Sequence, residues 1–300
     1  MTNPSQKTVA IFGATGAQGA PVVQQALAKG FNVRAIARDE NKIRQTHPDA
    51  AAVAADLADE AALINALEGV DAAFLHFPMP QGPDDVQHWA RAFFSAAHKV
   101  KLPFLVFVTG GPSGKRFPSS AIVDATTAGM ESVLNSGIPS IVLQSAVYLE
   151  NLQPEVFLPN LRSEGVLDYP PVSHDLKFQW TSHLDQARLA VAAFTRDDLA
   201  GQSFEIGTPE ALTGEELAGY IADWVGRDVT FNPITPSGFG QRIGDAFNSQ
   251  DVAFALGDLY GAIAALNNNE MSVDTQSLEE IFDVKLTTVA EHIRSWPKAN

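Results

Sequence analysis

The 300-residue sequence predicts an α/β protein built on a doubly wound parallel sheet, and three observations carry that prediction. Short apolar runs alternate with amphipathic helical patterns through the first half, which implies right-handed strand-helix-strand crossovers. The first run opens directly into three glycines spaced three apart. A composition of 45% hydrophobic and 18% charged residues is enough to bury a large core.

The strands read as Thr8–Phe12, Asn32–Ala37, Val53–Ala55, Ala72–Phe77, Phe104–Thr109 and Ser140–Gln144, from their short, largely apolar runs. Helical patterns fall between them at about Ala17–Lys29, Asp59–Leu67, Asp84–Lys101 and Asp124–Ser136. In the third of these, Trp89, Phe93 and Phe94 recur at core spacing and read as packing on the sheet. After Val147 the alternation loosens. Two proline-rich stretches (QPEVFLPN and YPPVS) lead to helices near Leu184–Thr195, Thr213–Val225 and Asp251–Asn267, with one more strand at Phe204–Ile206. There is no repeat, low-complexity tract or long linker, so the second half is expected to pack onto the first.

Charge and cysteine content exclude several functions. Thirty-five acidic against 20 basic residues give a formal charge of −15, and the basic residues do not cluster, so neither nucleic acid nor an anionic membrane is an expected partner. The absence of cysteine removes disulfides, thiolate metal sites and cysteine nucleophiles together. No apolar run approaches the roughly 20 residues of a membrane helix, and the N-terminus lacks a secretion signal's apolar region. A cytoplasmic protein, monomer or homodimer, is the expectation.

The glycine turn VAIFGATGAQGAPVV is credible because of its context: it follows a strand and opens a helix with Val22, Val23, Ala26 and Leu27 inward. Gly13 allows the tight turn, Gly16 lets backbone amides approach a pyrophosphate, and Gly19 lets the helix pack closely, with phosphate at the helix N-terminus. Thr15 and Gln18 lie within the same turn. This is a Rossmann-type dinucleotide fingerprint with GxxGxxG spacing, which points to the extended short-chain dehydrogenases. Past the second strand, Arg38 and Lys42 suit the 2′-phosphate of NADP(H), whereas Asp39 one residue on would suit the ribose of NAD(H). NADP(H) is the expected cofactor and NAD(H) the lesser one. Asp56-Leu57 ends the third strand, where the carboxylate could meet the adenine or simply cap the next helix.

Several tempting motifs fail. GGPSGK, Gly110–Lys115, is one residue short of a phosphate-binding loop, and Arg116 replaces the metal-binding Ser or Thr; it reads as the loop after the fifth strand. Ser113 is no nucleophile elbow. The seven histidines include no HExxH; His174-Asp175 and His183-Asp185 read as surface or lobe residues, and no metal site is expected.

GATGAQG, AIARDENK, VAADLAD and SGIPSIVLQSAVYLENL, with the later TSHLDQARLAVAAF, SFEIGTPEALTGEELAGYIADWVGRDV and SVDTQSLEEIF, resemble the NmrA-like family of atypical short-chain dehydrogenase/reductases. The likeness spans nearly the whole chain. It includes quinone and triphenylmethane reductases, isoflavone-reductase-like enzymes and non-catalytic NADP(H)-sensing regulators. The resemblance implies a small, discontinuous C-terminal substrate lobe. Residues 1–150 would bind NADP, and residues 151–300 would mostly form the lobe, with about 181–206 returning to the sheet.

Most short-chain dehydrogenases use YxxxK, but Tyr148, Tyr169, Tyr220 and Tyr260 are followed four residues on by Leu152, Ser173, Trp224 and Ala264. Where many NmrA-like reductases carry a lysine four residues before a glutamate, this chain has Thr127 before Glu131. The triphenylmethane-reductase subgroup also lacks the pair. The strand-end loops LHFPMPQGPDD and QSAVYLENL instead supply His76, Phe77, Met79, Tyr148 and Asn151, and the fifth strand ends in Thr109-Gly110. His76, Phe77, Thr109 and Gly110 are read as cofactor contacts. Phe77, Met79, Tyr148, Asn151, Phe178 and Trp180 are read as substrate contacts, and Tyr148 and Thr109 as the candidate catalytic residues. The set offers aromatic surface and few acids or bases. It suits hydride transfer by orientation to a hydrophobic, aromatic or quinone-like acceptor. The alternative is an NADP(H)-sensing regulator whose partner would be another protein.

Overall fold

Six strands alternate with helices through the first half of the chain: β1 (Thr8–Phe12), β2 (Asn32–Ala37), β3 (Ala51–Ala54), β4 (Ala72–Leu75), β5 (Leu105–Val108) and β6 (Ser140–Ser145). A two-residue β7 (Val166–Leu167) follows, then β8 (Ser203–Ile206) and β9 (Thr230–Phe231). The structure, a computed structural model, describes residues 7–80, 82, 84–118, 120–170, 174–266 and 272–298. Residues 171–173 of the expected proline-rich stretch YPPVS and the expected helix end at Asn267 lie outside the described residues.

Seven strands form one sheet in the order β3-β2-β1-β4-β5-β6-β8, every neighbouring pair parallel. The order reverses at β1, whose Val9 pairs with Val33 on one side and Ala72 on the other. This is the doubly wound Rossmann-type arrangement, and its ligand crevice opens where strands leave the switch point in opposite directions. β7 and β9 pair separately.

Alternation within each strand divides the core. Val9 and Ile11 face one side with Phe74, Val106 and Ile141, under α1 (Gly19–Ala28). Ala10 and Phe12 face the other with Leu75, Leu105 and Phe107. That second face is covered by α3 (Glu60–Leu67) and α4 (Asp85–Lys99), where Phe93 is fully buried and Phe94 packs partly buried beside it. Between β2 and β3 lies α2 (Glu40–Thr46), unassigned in the sequence because Ile43, which joins the core of the first face, is its one buried residue. The carboxylate of Asp39 accepts from Asn41 N and Lys42 N and caps it. α5 (Ala121–Leu134) starts three residues before its expected position because Ser120 is its cap.

In the second half, α6 (Pro159–Glu164) precedes α7 (His183–Ala193), which packs against α1 and leads into β8 beside β6. The rest builds its own core: α8 (Gly214–Val225), α9 (Pro236–Phe247), α10 (Gln250–Ala264), α11 (Thr275–Phe282) and α12 (Val289–Ser295). α11 is the exception, packing onto the sheet layer through Leu278 and Phe282. Trp180, Tyr169, Phe239 and Tyr260 centre the second core, with ring centroids 5.0–5.7 Å apart in tilted or edge contacts. α9 escaped the sequence reading because three of its twelve residues are glycines. Gly240 and Gly244 let α10 approach so closely that a Cβ on Gly240 would sit 2.3 Å from Ala253 O. Among the described residues no helix is long and apolar enough to cross a membrane.

Candidate active site

The glycine turn is held from both sides. Gly13 adopts φ +68°, Gly16 N donates to Gly13 O (2.8 Å), and Ala14 N donates to Ile36 O (3.0 Å) at the end of β2. Ala14 O accepts from the buried His47 ring at 2.9 Å, an anchor the sequence reading did not find. A Cβ on Gly19 would lie 2.3 Å from Gly13 O, so only glycine permits this contact between helix and turn. Gly16 and Ala17 remain exposed at the start of α1, and Thr15 and Gln18 are half-buried.

Past β2, Arg38 and Lys42 are exposed, and neither side chain makes an ion pair or hydrogen bond with a described residue. Asp39 commits Oδ1 to the cap of α2 at 2.9 and 3.1 Å. Asp56 accepts from Ala58 N (2.8 Å), while Asp59, not Asp56, caps α3; Leu57 is half-buried against the sheet core.

At the end of β4, the His76 imidazole lies over Gly13, where an added Cβ would be 2.6 Å from Nε2. Both ring nitrogens are shielded without a well-formed hydrogen bond. Desolvation pushes its pKa down to about 4, so the ring is neutral near pH 7. Phe77 packs on Trp89 and Phe107 with centroids 6.3 and 5.7 Å away, and Met79 is 74% exposed. Thr109, buried after β5, donates its hydroxyl to Gly111 O (2.9 Å) and accepts from Ser145 N (3.1 Å). That hydroxyl proton serves the loop. Gly110 beside it is exposed. Thr127, in the position of the family's lysine, accepts from Gly114 N (2.8 Å) and donates to Val123 O (2.6 Å), fixing the same loop.

Tyr148 follows β6. A single bridge to Thr181, closed by Leu149 N to Thr181 O (2.8 Å) and Thr181 N to Val147 O (2.9 Å), brings this segment against the start of α7. The phenol hydrogen-bonds Gln186 Oε1 at 2.7 Å and lies 3.2 Å from Gln18 Oε1 in the glycine turn. Burial raises its pKa well above that of a free tyrosine. Asn151 is half-buried next to Tyr169. Phe178 and Trp180, expected to close the pocket, are 4% and 1% exposed and pack in a tilted contact with ring centroids 4.4 Å apart inside the second-half core.

The same corner holds three groups without a site role in the sequence reading: Gln186, His183 and Glu150. The His183 ring sits 4.6 Å from Tyr148, its backbone N donates to Glu150 Oε1 (3.0 Å), and its Nδ1 is 3.7 Å from Glu150 Oε2. Burial pushes His183 down to about 4, with repulsion from His76 adding to the shift, and it raises Glu150. The corner is therefore richer in acids and bases than the expected aromatic pocket. Gln186 had a readable signal, since it lies on the buried stripe of α7 with Ala190 and Ala193. His183 and Glu150 had none, because their meeting depends on the Tyr148–Thr181 bridge.

The model of the NmrA-like family matches residues 5–293. The chain belongs to that family. An NAD(P)H azoreductase of Xenophilus azovorans is 28% identical to this NmrA-like chain over 84% of it and 86% of the relative. Among solved structures, the triphenylmethane reductase of Citrobacter sp. superposes with a TM-score of 0.78 at 17% identity, covering 96% and 97% of the two chains. An NADPH-dependent quinone oxidoreductase of Escherichia coli, solved with NADPH, gives 0.75 at 22% identity over 96% and 98%. The negative transcriptional regulator NmrA, solved with NAD, gives 0.70 at 17% identity over 97% and 95%. At these identities the structural matches establish the NmrA-like fold.

Proposed function

We propose that this NmrA-like protein is an NADPH-dependent reductase of a planar, hydrophobic acceptor of the quinone or dye type. The observation that carries the reading is the link from Tyr148 to Gln18, which joins the glycine turn to the strand end where an acceptor would lie. The turn fits a dinucleotide: its amides open at a helix N-terminus, and His76 places shielded nitrogens without a well-formed hydrogen bond beside Gly13. Gly13, Thr15, Gly16, Gln18 and Gly19 would hold the pyrophosphate, with Asp56 and Leu57 at the adenine and His76, Phe77, Thr109 and Gly110 toward the nicotinamide. Arg38 and Lys42, exposed and without a partner among the described residues, favour the 2′-phosphate of NADP(H) over the ribose of NAD(H), since Asp39 is drawn into the cap of α2.

When bound, the dinucleotide supplies the hydride. The chain's own contribution is orientation: Tyr148 is fixed by Gln186, Thr109 ties the loop after β5 to β6, and Phe77 with Tyr148 presents aromatic surface to the acceptor. Met79 and Asn151 would border it. The names of the relatives, an azoreductase, a quinone oxidoreductase and a dye reductase, support acceptors that are already electrophilic.

The test is NADPH oxidation with a panel of quinones, enones, azo compounds and cationic dyes. Turnover with at least one class is expected. Tight NADPH binding without oxidation by any acceptor, together with different proteolysis of the free and NADP-bound protein, would replace the reductase with a redox-sensing regulator.

A further inference from the structure

We infer that Glu150 and His183 form a proton-donating pair for acceptors that must gain a proton with the hydride. The inference rests on the reductase reading above and deepens it, because it divides the acceptors into two chemical classes.

The neighbouring groups leave this pair as the acid. The Tyr148 hydroxyl is turned to Gln186 and buried, the Thr109 hydroxyl donates to Gly111 O, and the His76 nitrogens are shielded. The His183 side chain keeps 15% exposure, and its Nε2 has no hydrogen-bond partner among the described residues. Behind it, Nδ1 faces Glu150 Oε2 at 3.7 Å, and the Ser182 cap fixes the backbone from which the ring projects.

Hydride addition to a quinone delivers two electrons and one hydrogen, and leaves an oxyanion. His183 gives its Nε2 proton to that oxygen, forming the O–H bond. Nδ1 takes the carboxyl proton of Glu150; once the product has left, solvent returns a proton to Nε2 and Nδ1 gives its proton back to the carboxylate, which restores the starting pair. An azo nitrogen is served in the same way. A triarylmethane cation differs: hydride addition to its central carbon gives the neutral product with no proton required.

The charge environment agrees. Tyr148 and Glu150 face His183 from the segment after β6, and His76 faces it from the end of β4. Glu150 also feels Asp185 of α7, which raises its pKa, and His292 of α12, which lowers it, with Arg188 and His292 both bonded to Asp185. Burial is the largest influence on both groups and shifts each toward its neutral form, raising Glu150 and pushing His183 down.

The experiment compares NADPH-dependent reduction of a benzoquinone and of a cationic triarylmethane dye by the wild type, His183→Gln and Glu150→Gln. Folding and NADPH binding are checked first. Quinone turnover should fall about a hundredfold in both variants, as for the loss of a general acid, while dye reduction stays within about threefold. Independently, infrared difference spectra of the free protein at mildly acidic pH, where an ordinary glutamate is ionised, should contain a protonated-carboxyl band that Glu150→Gln lacks. Equal losses on both acceptors, no loss on the quinone, or absence of that band would overturn the pair. If His183→Gln does not fold, Glu150→Gln carries the same comparison. A wild type that reduces neither acceptor overturns the reductase reading, and the inference with it.

Discussion

The Tyr148 hydroxyl and Gln186 Oε1 lie 2.7 Å apart in a buried contact between the segment after β6 and α7. The phenol's proton is spent on a protein acceptor. This distinguishes Tyr148 from a catalytic tyrosine whose hydroxyl is free to meet substrate, and it determines what its removal should do.

Tyr148→Phe should leave the Gln186 carbonyl unsatisfied, at a stability cost of about 1–3 kcal/mol in urea unfolding. Turnover should fall no more than about tenfold, the equivalent of one hydrogen bond. A loss of about a thousandfold with folding intact would make the phenol an essential acid. Tyr148→Ala should be worse on both counts, since it also removes the surface against His183.

Arg38→Ala should erase most of the preference for NADPH over NADH, which is expected to be at least about tenfold. A charge-assisted bond to phosphate contributes roughly 1.5–3 kcal/mol. Fluorescence energy transfer to bound nicotinamide measures both affinities. Equal affinities in the wild type would point to Asp39 at the ribose.

Thr127→Ala should lower stability by about 1 kcal/mol, because Gly114 N loses its acceptor while no proton path runs through the hydroxyl. The rate with any accepted substrate should be nearly unchanged. A large drop in turnover without loss of stability would show that the position does more than hold the loop.

Acid should destabilise the protein through its two buried imidazoles. His76 and His183 are held near 4 in the fold and titrate near 6.5 when unfolded, so the unfolded chain binds more protons between those values. Their contribution is intact above about pH 6.5 and is lost as pH falls toward about 4, by roughly 1–3 kcal/mol for each ring. Denaturant midpoints across this range should fall more steeply for the wild type than for His76→Gln. A parallel pH dependence would mean that His76 is not held neutral.

The sequence by itself determined the sheet, because the strands of the first half are short, largely apolar runs and the crossover helices other than α2 carry their own stripes. Val9, Ile11, Val22 and Val23 specify their burial without help from distant residues. It also determined the glycine turn, since the φ of Gly13 and the close approach at Gly19 are requirements of backbone geometry that only glycine meets. Helices such as α2 and α9 escaped because caps and helix-to-helix packing, not periodicity, hold them. Tertiary structure alone decided the corner around Tyr148. Phe178 and Trp180 have the composition of pocket residues, but the second-half core covers them. Glu150, His183 and Gln186 carry no local mark of function, yet the Thr181 bridge and the seating of α7 on α1 bring them within a few ångströms of residues up to 168 positions away. Local pattern encodes which face is buried; which polar groups share that interior depends on how the chain's two halves close on each other.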